Sequence, residues 1–107
     1  MSEHRVELLV RLRLNGRLEA LYVSEDLALP FVPSVGMQFK QGNSTWLWET
    51  ETGELMPSVE AVIYDLDEQV LVCLFTVDQP LKSSFWSKIE GDDINDSTYL
   101  AYFEPRS

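Results

Sequence analysis

Histidine and cysteine are nearly absent from this chain, which has only His4 and Cys73. A single cysteine rules out a disulfide within the chain and is typical of a reducing compartment, so we expect a cytoplasmic protein. Zinc sites use more of these side chains than the chain offers. Cys73 also lies inside an apolar run, where a thiol is usually inert.

The chain also lacks motifs for metals, phosphates and nucleophilic catalysis. The nearest pattern to a calcium loop begins at Asp93, but Thr98 stands where the sharp turn needs glycine. There is no glycine-rich phosphate loop and no nucleophile elbow. We therefore predict no metal site, no cofactor and no catalytic residues, and we expect the protein not to be an enzyme.

Long hydrophobic runs are missing as well. The longest one covers residues 70–77, far fewer than the roughly 20 residues needed to span a bilayer. No positively charged start leads into an apolar run of the secretory type. We therefore expect no contact with a membrane.

Positive charge is missing from the middle of the chain. Between Lys40 and Lys82 there is no lysine or arginine, but the following acids are present: Glu49, Glu51, Glu54, Glu60, Asp65, Asp67, Glu68 and Asp78. The whole chain has a net charge of -10. Such a field repels nucleic acid and attracts basic partners. The same acidity is compatible with a role in solubility alone, and Arg11, Arg13 and Arg17 offer positive charge that would cancel part of it.

The remaining composition is that of an ordinary globular chain. With 107 residues, 45% of them hydrophobic and 24% charged, we predict one domain covering residues 1–107. Apolar residues alternate along residues 5–14, and Asn15-Gly16 then predicts a two-residue hairpin turn before a return strand over 18–23. Residues 59–66 and 69–77 predict a second hairpin, whose second strand is apolar on both faces. Such a strand lies at the centre of a sheet or in an interface.

Shorter elements are predicted between and after these hairpins. The pattern favours strands over 37–40, 45–50 and 98–104, a helical turn over 25–29, a short helix within 81–89 and a polar loop over 91–97. Together the elements predict a mainly β fold: a small antiparallel barrel or sandwich with at most one or two short helices. An SH3-like barrel is compatible with the short strand that follows Gly36. The likeness is architectural, and no family motif accompanies it.

Trp46 and Trp48 share one face of the predicted strand over 45–50. If they point inward, both fill the core, and Glu49 and Glu51 lie on the surface. If they point outward, they form an aromatic patch rimmed by acids, which would suit a basic protein surface. The sequence leaves both arrangements open.

The leading hypothesis is a non-enzymatic interaction module that presents an acidic surface to a protein partner. One version is an inhibitor or immunity-type protein that masks a basic enzyme. The predicted partner-binding residues are Trp46, Trp48, Glu49, Glu51, Glu54, Asp65, Asp67 and Glu68. One alternative is a homo-oligomeric structural or assembly subunit joined through sheet edges. Another is a small-ligand-binding β-barrel.

Overall fold

The computed structural model describes residues 3–40 and 46–103, and its mainly β fold confirms the predicted class. Within these ranges the strands are β1 (His4–Leu14), β2 (Arg17–Val23), β3 (Leu27–Leu29), β4 (Glu49–Thr50), β5 (Gly53–Glu54), β6 (Ala61–Asp65), β7 (Val70–Val77) and β8 (Ser87–Glu90). A 3₁₀ turn (Trp46–Trp48) precedes β4, and two single-turn helices, α1 (Asp93–Asp96) and α2 (Leu100–Phe103), follow β8. Their number fits the prediction of at most one or two short helices, although neither lies where a helix was predicted.

One six-stranded sheet forms the body of the protein. Its order is β6-β7-β1-β2-β8, and β3 pairs with the first residues of β1. β1 and β7 run parallel, from Val6 beside Leu71 to Leu12 beside Val77. The predicted antiparallel arrangement is therefore wrong at this pair, because hairpin signals report only neighbouring strands. The described residues form no closed barrel, so the SH3-like alternative is wrong as well.

Both predicted hairpins are confirmed. At the β1–β2 turn, Asn15 and Gly16 have φ angles of 54° and 78°, the left-handed conformation that a tight hairpin turn requires. At the β6–β7 turn, the Asp65 carboxylate accepts the N–H groups of Asp67 at 2.9 Å and Glu68 at 3.0 Å. These local bonds close the turn and fix the register of the strands beside it.

The first face of the sheet carries the larger core. Alternate β1 residues from Val6 to Leu12 pack there against Trp48, Phe75 and Trp86. Both tryptophans are buried and hydrogen-bonded: Trp48 Nε1 donates to the Phe39 carbonyl at 2.7 Å and Trp86 Nε1 to the Leu47 carbonyl at 2.6 Å. These bonds satisfy the polar atom of each ring within an apolar environment.

The second face is covered by the C-terminal segment. Leu9 and Val72 lie in a smaller cluster there, against which Tyr99, Tyr102 and Phe103 pack. β7 is therefore covered on both faces, as its two-faced apolar pattern indicated. Among the described residues, no helix has the length and apolar character needed to cross a membrane.

Several short elements differ from their predictions. The described part of the predicted strand 98–104 contains α2, because Tyr99, Tyr102 and Phe103 have the i, i+3, i+4 spacing that places three side chains on one helical face. The predicted helix within 81–89 is wrong, since its last residues belong to β8. The predicted helical turn over 25–29 ends instead in β3, and the predicted loop over 91–97 contains α1. The strand predicted over 37–40 is reduced to a single bridge between Gln38 and Ser58.

Candidate functional site

A groove of about 1070 Å³ opens on the second face of the sheet, at the end where the β6–β7 turn lies. Side chains from β1, β6 and β7 line it, together with the junction between β2 and β3 and the segment around α2. The lining residues are Arg5, Glu7, Ser24, Glu25, Asp26, Ile63, Asp65, Asp67, Glu68, Val70, Thr98, Tyr99, Ala101 and Tyr102. The groove therefore combines an apolar floor, tyrosine walls and a carboxylate-rich rim.

Acidic side chains outnumber basic ones six to one among the described residues that line the groove. Among the described residues that line it, the acids are Glu7, Glu25, Asp26, Asp65, Asp67 and Glu68, and the only base is Arg5. Arg5 is already engaged: its Nε pairs with Asp26, and its Nη1 donates to the Glu68 carbonyl at 2.7 Å. The only base among the described lining residues therefore already has partners within the chain.

Glu7 occupies the inner part of this arrangement, half-buried on the strand at the centre of the sheet. Burial raises its pKa to about 7, and the charge of Asp26 and a hydrogen bond with Asp26 add to the effect. Arg5 opposes the shift but is weaker than the sum of the other causes. Glu7 is thus a carboxyl group that changes charge close to neutral pH.

Asp65 and Tyr102 join the turn to the C-terminal segment. The Tyr102 hydroxyl donates to Asp65 Oδ2 at 2.8 Å. The N–H of Glu68, this hydroxyl and the N–H of Asp67 together lower the pKa of Asp65. Burial and the bond to Asp65 raise the pKa of Tyr102. Near neutral pH, Asp65 is therefore ionised, while Glu7 in the same groove is partly protonated.

The groove carboxylates surround a space and do not converge on a point. Within the described residues, no group of three or more His, Cys, Asp or Glu side chains is arranged to hold a metal ion. The arrangement is suited to a larger cationic group with both charged and apolar parts. Cys73 lies outside the groove and is buried in the core, which raises its thiol pKa to about 11.

The predicted partner-binding residues separate into distinct places. Asp65, Asp67 and Glu68 come together in the groove. Glu49, Glu51 and Glu54 lie on or beside the β4–β5 hairpin, which is bonded to the chain just after β7 through Lys82 N–H and the Glu49 carbonyl at 2.8 Å. The groove lies at the start of β7 and the hairpin is bonded to the chain beyond its end, so these acids form two separate groups.

Of the two tryptophans in the predicted aromatic patch, the structure describes the side chain of Trp48 alone. Trp48 is fully buried, with 0% of its surface exposed, so the inward arrangement is the one observed for it. The side chain of Trp46 lies outside the described residues. Arg11 cancels part of the acidic block, because its Nη2 bonds to Glu60 at 3.2 Å and its Nε to Thr76 at 2.8 Å.

Of the six carboxyl groups that line the groove, the sequence predicted three, and it predicted none of the other lining residues. The sequence offered only two local indications of the other three carboxyl groups. Glu7 is the one acid on the polar face of an arginine-bearing strand, and Glu25 and Asp26 follow shortly after the end of β2. Their meeting with Asp65 requires the parallel pairing of β1 with β7. Tyr99 and Tyr102 enter the groove because the segment that carries them is helical and not extended.

Comparisons with known proteins found no relative of this chain. The chain matches no protein-family model, no curated protein and no solved structure.

Proposed function

We propose that this protein is a cytoplasmic, non-catalytic binding module that holds a lysine or arginine side chain of a protein partner in the acidic groove. The observation that carries the proposal is that the described lining of the groove has six carboxyl groups and one arginine, which is already paired. The buried, free Cys73 fits a reducing compartment.

The lining of the groove favours a basic side chain over a small cation. Lysine and arginine have an apolar stem and a charged end. Ile63 and Val70 offer apolar surface to the stem, and the carboxylates offer acceptors to the charged end. Tyrosine rings add cation–π attraction when a cation lies over their faces. Inhibition of a basic enzyme is the concrete role that fits such recognition, because a negative rim accelerates encounter with a positive surface.

A double substitution tests the groove directly. Asp67→Asn with Glu68→Gln removes two rim charges while leaving Asp65, which closes the turn, in place. Glu19→Gln with Glu51→Gln is the matched control, because it removes the same charge from exposed positions outside the groove. The probe is a fluorescent oligolysine peptide followed by anisotropy at low salt.

We expect the groove variant to bind the peptide about tenfold more weakly, equivalent to about 1.4 kcal/mol, and the control variant to bind within about twofold of the original protein. Equal weakening in both variants would show that only net charge matters. That result would overturn the proposal, as would the absence of any weakening in the groove variant.

A further inference from the structure

β6 borders the groove and has an open outer edge. Its inner side pairs with β7 from Ala61 to Asp65, and no described strand pairs with its other side. The strand contains no lysine and no proline, the residues that usually protect an edge from pairing with another chain. Its outward N–H and C=O groups are therefore a template for an added strand.

The chain itself already pairs with this edge just before β6. Val59 N–H donates to the Met37 carbonyl at 2.7 Å, and Gly36 N–H donates to the Val59 carbonyl at 2.8 Å. Glu60 N–H, one residue later, donates to Leu74 of β7 at 2.7 Å. Successive N–H groups of an extended chain point to opposite sides, so the pairing segment lies on the side away from β7. An added strand along β6 would continue this ladder.

Exposed apolar side chains accompany the open edge. Leu66, directly after β6, is 79% exposed, and Val35, beside the residue that pairs with Val59, is 67% exposed. Tyr64 within β6 is 52% exposed. Uncovered apolar surface of this kind marks an interaction site when it adjoins unpaired backbone groups.

The side chains on the two faces of an added strand would contact different groups of this protein. Ile63 and Asp65 of β6 line the groove, so residues opposite them would point towards its carboxylates. Val62 packs with the first-face core, and Tyr64 lies on that same face, so residues on the other side would meet apolar surface.

We propose that an extended segment of a basic protein adds to β6 as a strand, with basic side chains on the groove side and apolar side chains on the other. This inference rests on the proposed function and names the form of its ligand. A second copy of this chain fits less well, because it would bring its own Asp65 and a net charge of -10 to an already acidic edge.

Peptides with alternating lysine and valine, about six residues long as in a common strand, test the proposal. In an extended peptide the N–H groups of all lysines point to one side and those of all valines to the other. One version is therefore N-methylated at every lysine and another at every valine, so each serves as the control for the other. Strand addition predicts about a tenfold loss of affinity for one version and less than about a twofold loss for the other.

A third peptide, with glutamine in place of lysine, separates the two proposals. If it binds as well as the lysine peptide, the proposed function itself fails. If it binds weakly but both N-methylated peptides bind equally, the groove remains the site and strand addition is overturned. A dimer of the protein alone in sedimentation, lost in Tyr64→Lys, would show that a second copy occupies the edge, and this would also overturn the inference.

Discussion

The ionisation of Glu7 affects the free energy of unfolding of the protein. Its pKa is raised from 4.5 to about 7 in the folded protein, so the folded state holds a proton that the unfolded state releases between these values. The stabilising contribution of the protonated group is therefore complete below pH 4.5 and is lost as the pH rises through about 7.

Glu7→Gln is expected to remove this pH dependence, because the amide stays neutral. The variant should match the original protein at about pH 4 and exceed its free energy of unfolding by about 1 kcal/mol at about pH 8, a value reduced for the solvent exposure of the group. Urea unfolding at the two pH values measures the difference. A variant that is less stable than the original protein at both values would contradict the described environment of Glu7.

The same carboxyl group should make binding depend on pH. A bound lysine favours the ionised form of Glu7, so affinity for the alternating peptide should rise as the pH rises through about 7. Glu7→Gln should flatten this rise. Anisotropy titrations over this range check the expectation, and an unchanged slope in the variant would place the cation away from Glu7.

At the scale of elements, the segment that contains Leu47 and Trp48 packs into the hydrophobic core. Trp48 lies 4.9 Å from Phe75 and 5.3 Å from Trp86, measured between ring centroids, and its indole is hydrogen-bonded. Such a contact set stabilises the packing of the segment against the first face of the sheet.

Trp48→Ala is expected to lower the free energy of unfolding by about 3–5 kcal/mol, as for other large aromatic side chains removed from a core. Denaturant unfolding followed by circular dichroism measures this loss. Tyr64→Ala, at an exposed aromatic position, is the control and should lose far less. A similarly small loss for Trp48→Ala would mean that its ring lies on the surface.

The two hairpins were predictable because alternation and turn chemistry are local. Asn15-Gly16 specifies its turn through backbone conformation, and Asp65 closes the other turn through its own side chain. The segment from Tyr99 to Phe103 was not predictable in the same way. Tyr99, Ala101 and Phe103 fit a period of two, whereas Tyr99, Tyr102 and Phe103 fit a helical spacing. Contact with the second face of the sheet decides between them.

The groove was only partly predictable for a related reason. Asp65, Asp67 and Glu68 stand together in the sequence, so their clustering was visible. Glu7 and Asp26 reach the same place only through pairings between strands far apart in the chain, β1 with β7 and β1 with β3. No local pattern reports such pairings.

At the scale of the whole molecule, the acidic block is divided and not continuous. One group of carboxylates lies at the groove, another beside the far end of β7, and Glu60 between them is paired with Arg11. The net charge of -10 attracts any cationic molecule over a distance. We propose that specific binding depends on the place where the carboxylates share a groove with apolar and aromatic surface.

Salt should therefore weaken the long-range attraction by the net charge more than the local contacts within the groove. Raising the ionic strength shortens the screening length from about 10 Å at 0.1 M to about 3 Å at 1 M. We expect the association rate of the alternating peptide to fall steeply, while its dissociation rate changes less. Stopped-flow measurements at several salt concentrations test this, and an association rate unaffected by salt would exclude electrostatic attraction by this surface.

The most direct measurement is an amide NMR titration of the protein with the alternating lysine–valine peptide. We expect the shift changes to concentrate at Glu7, Asp26, Tyr99 and β6, while the β4–β5 hairpin is unaffected. Changes centred on Glu49–Glu54, or spread evenly over the acidic surface, would contradict it.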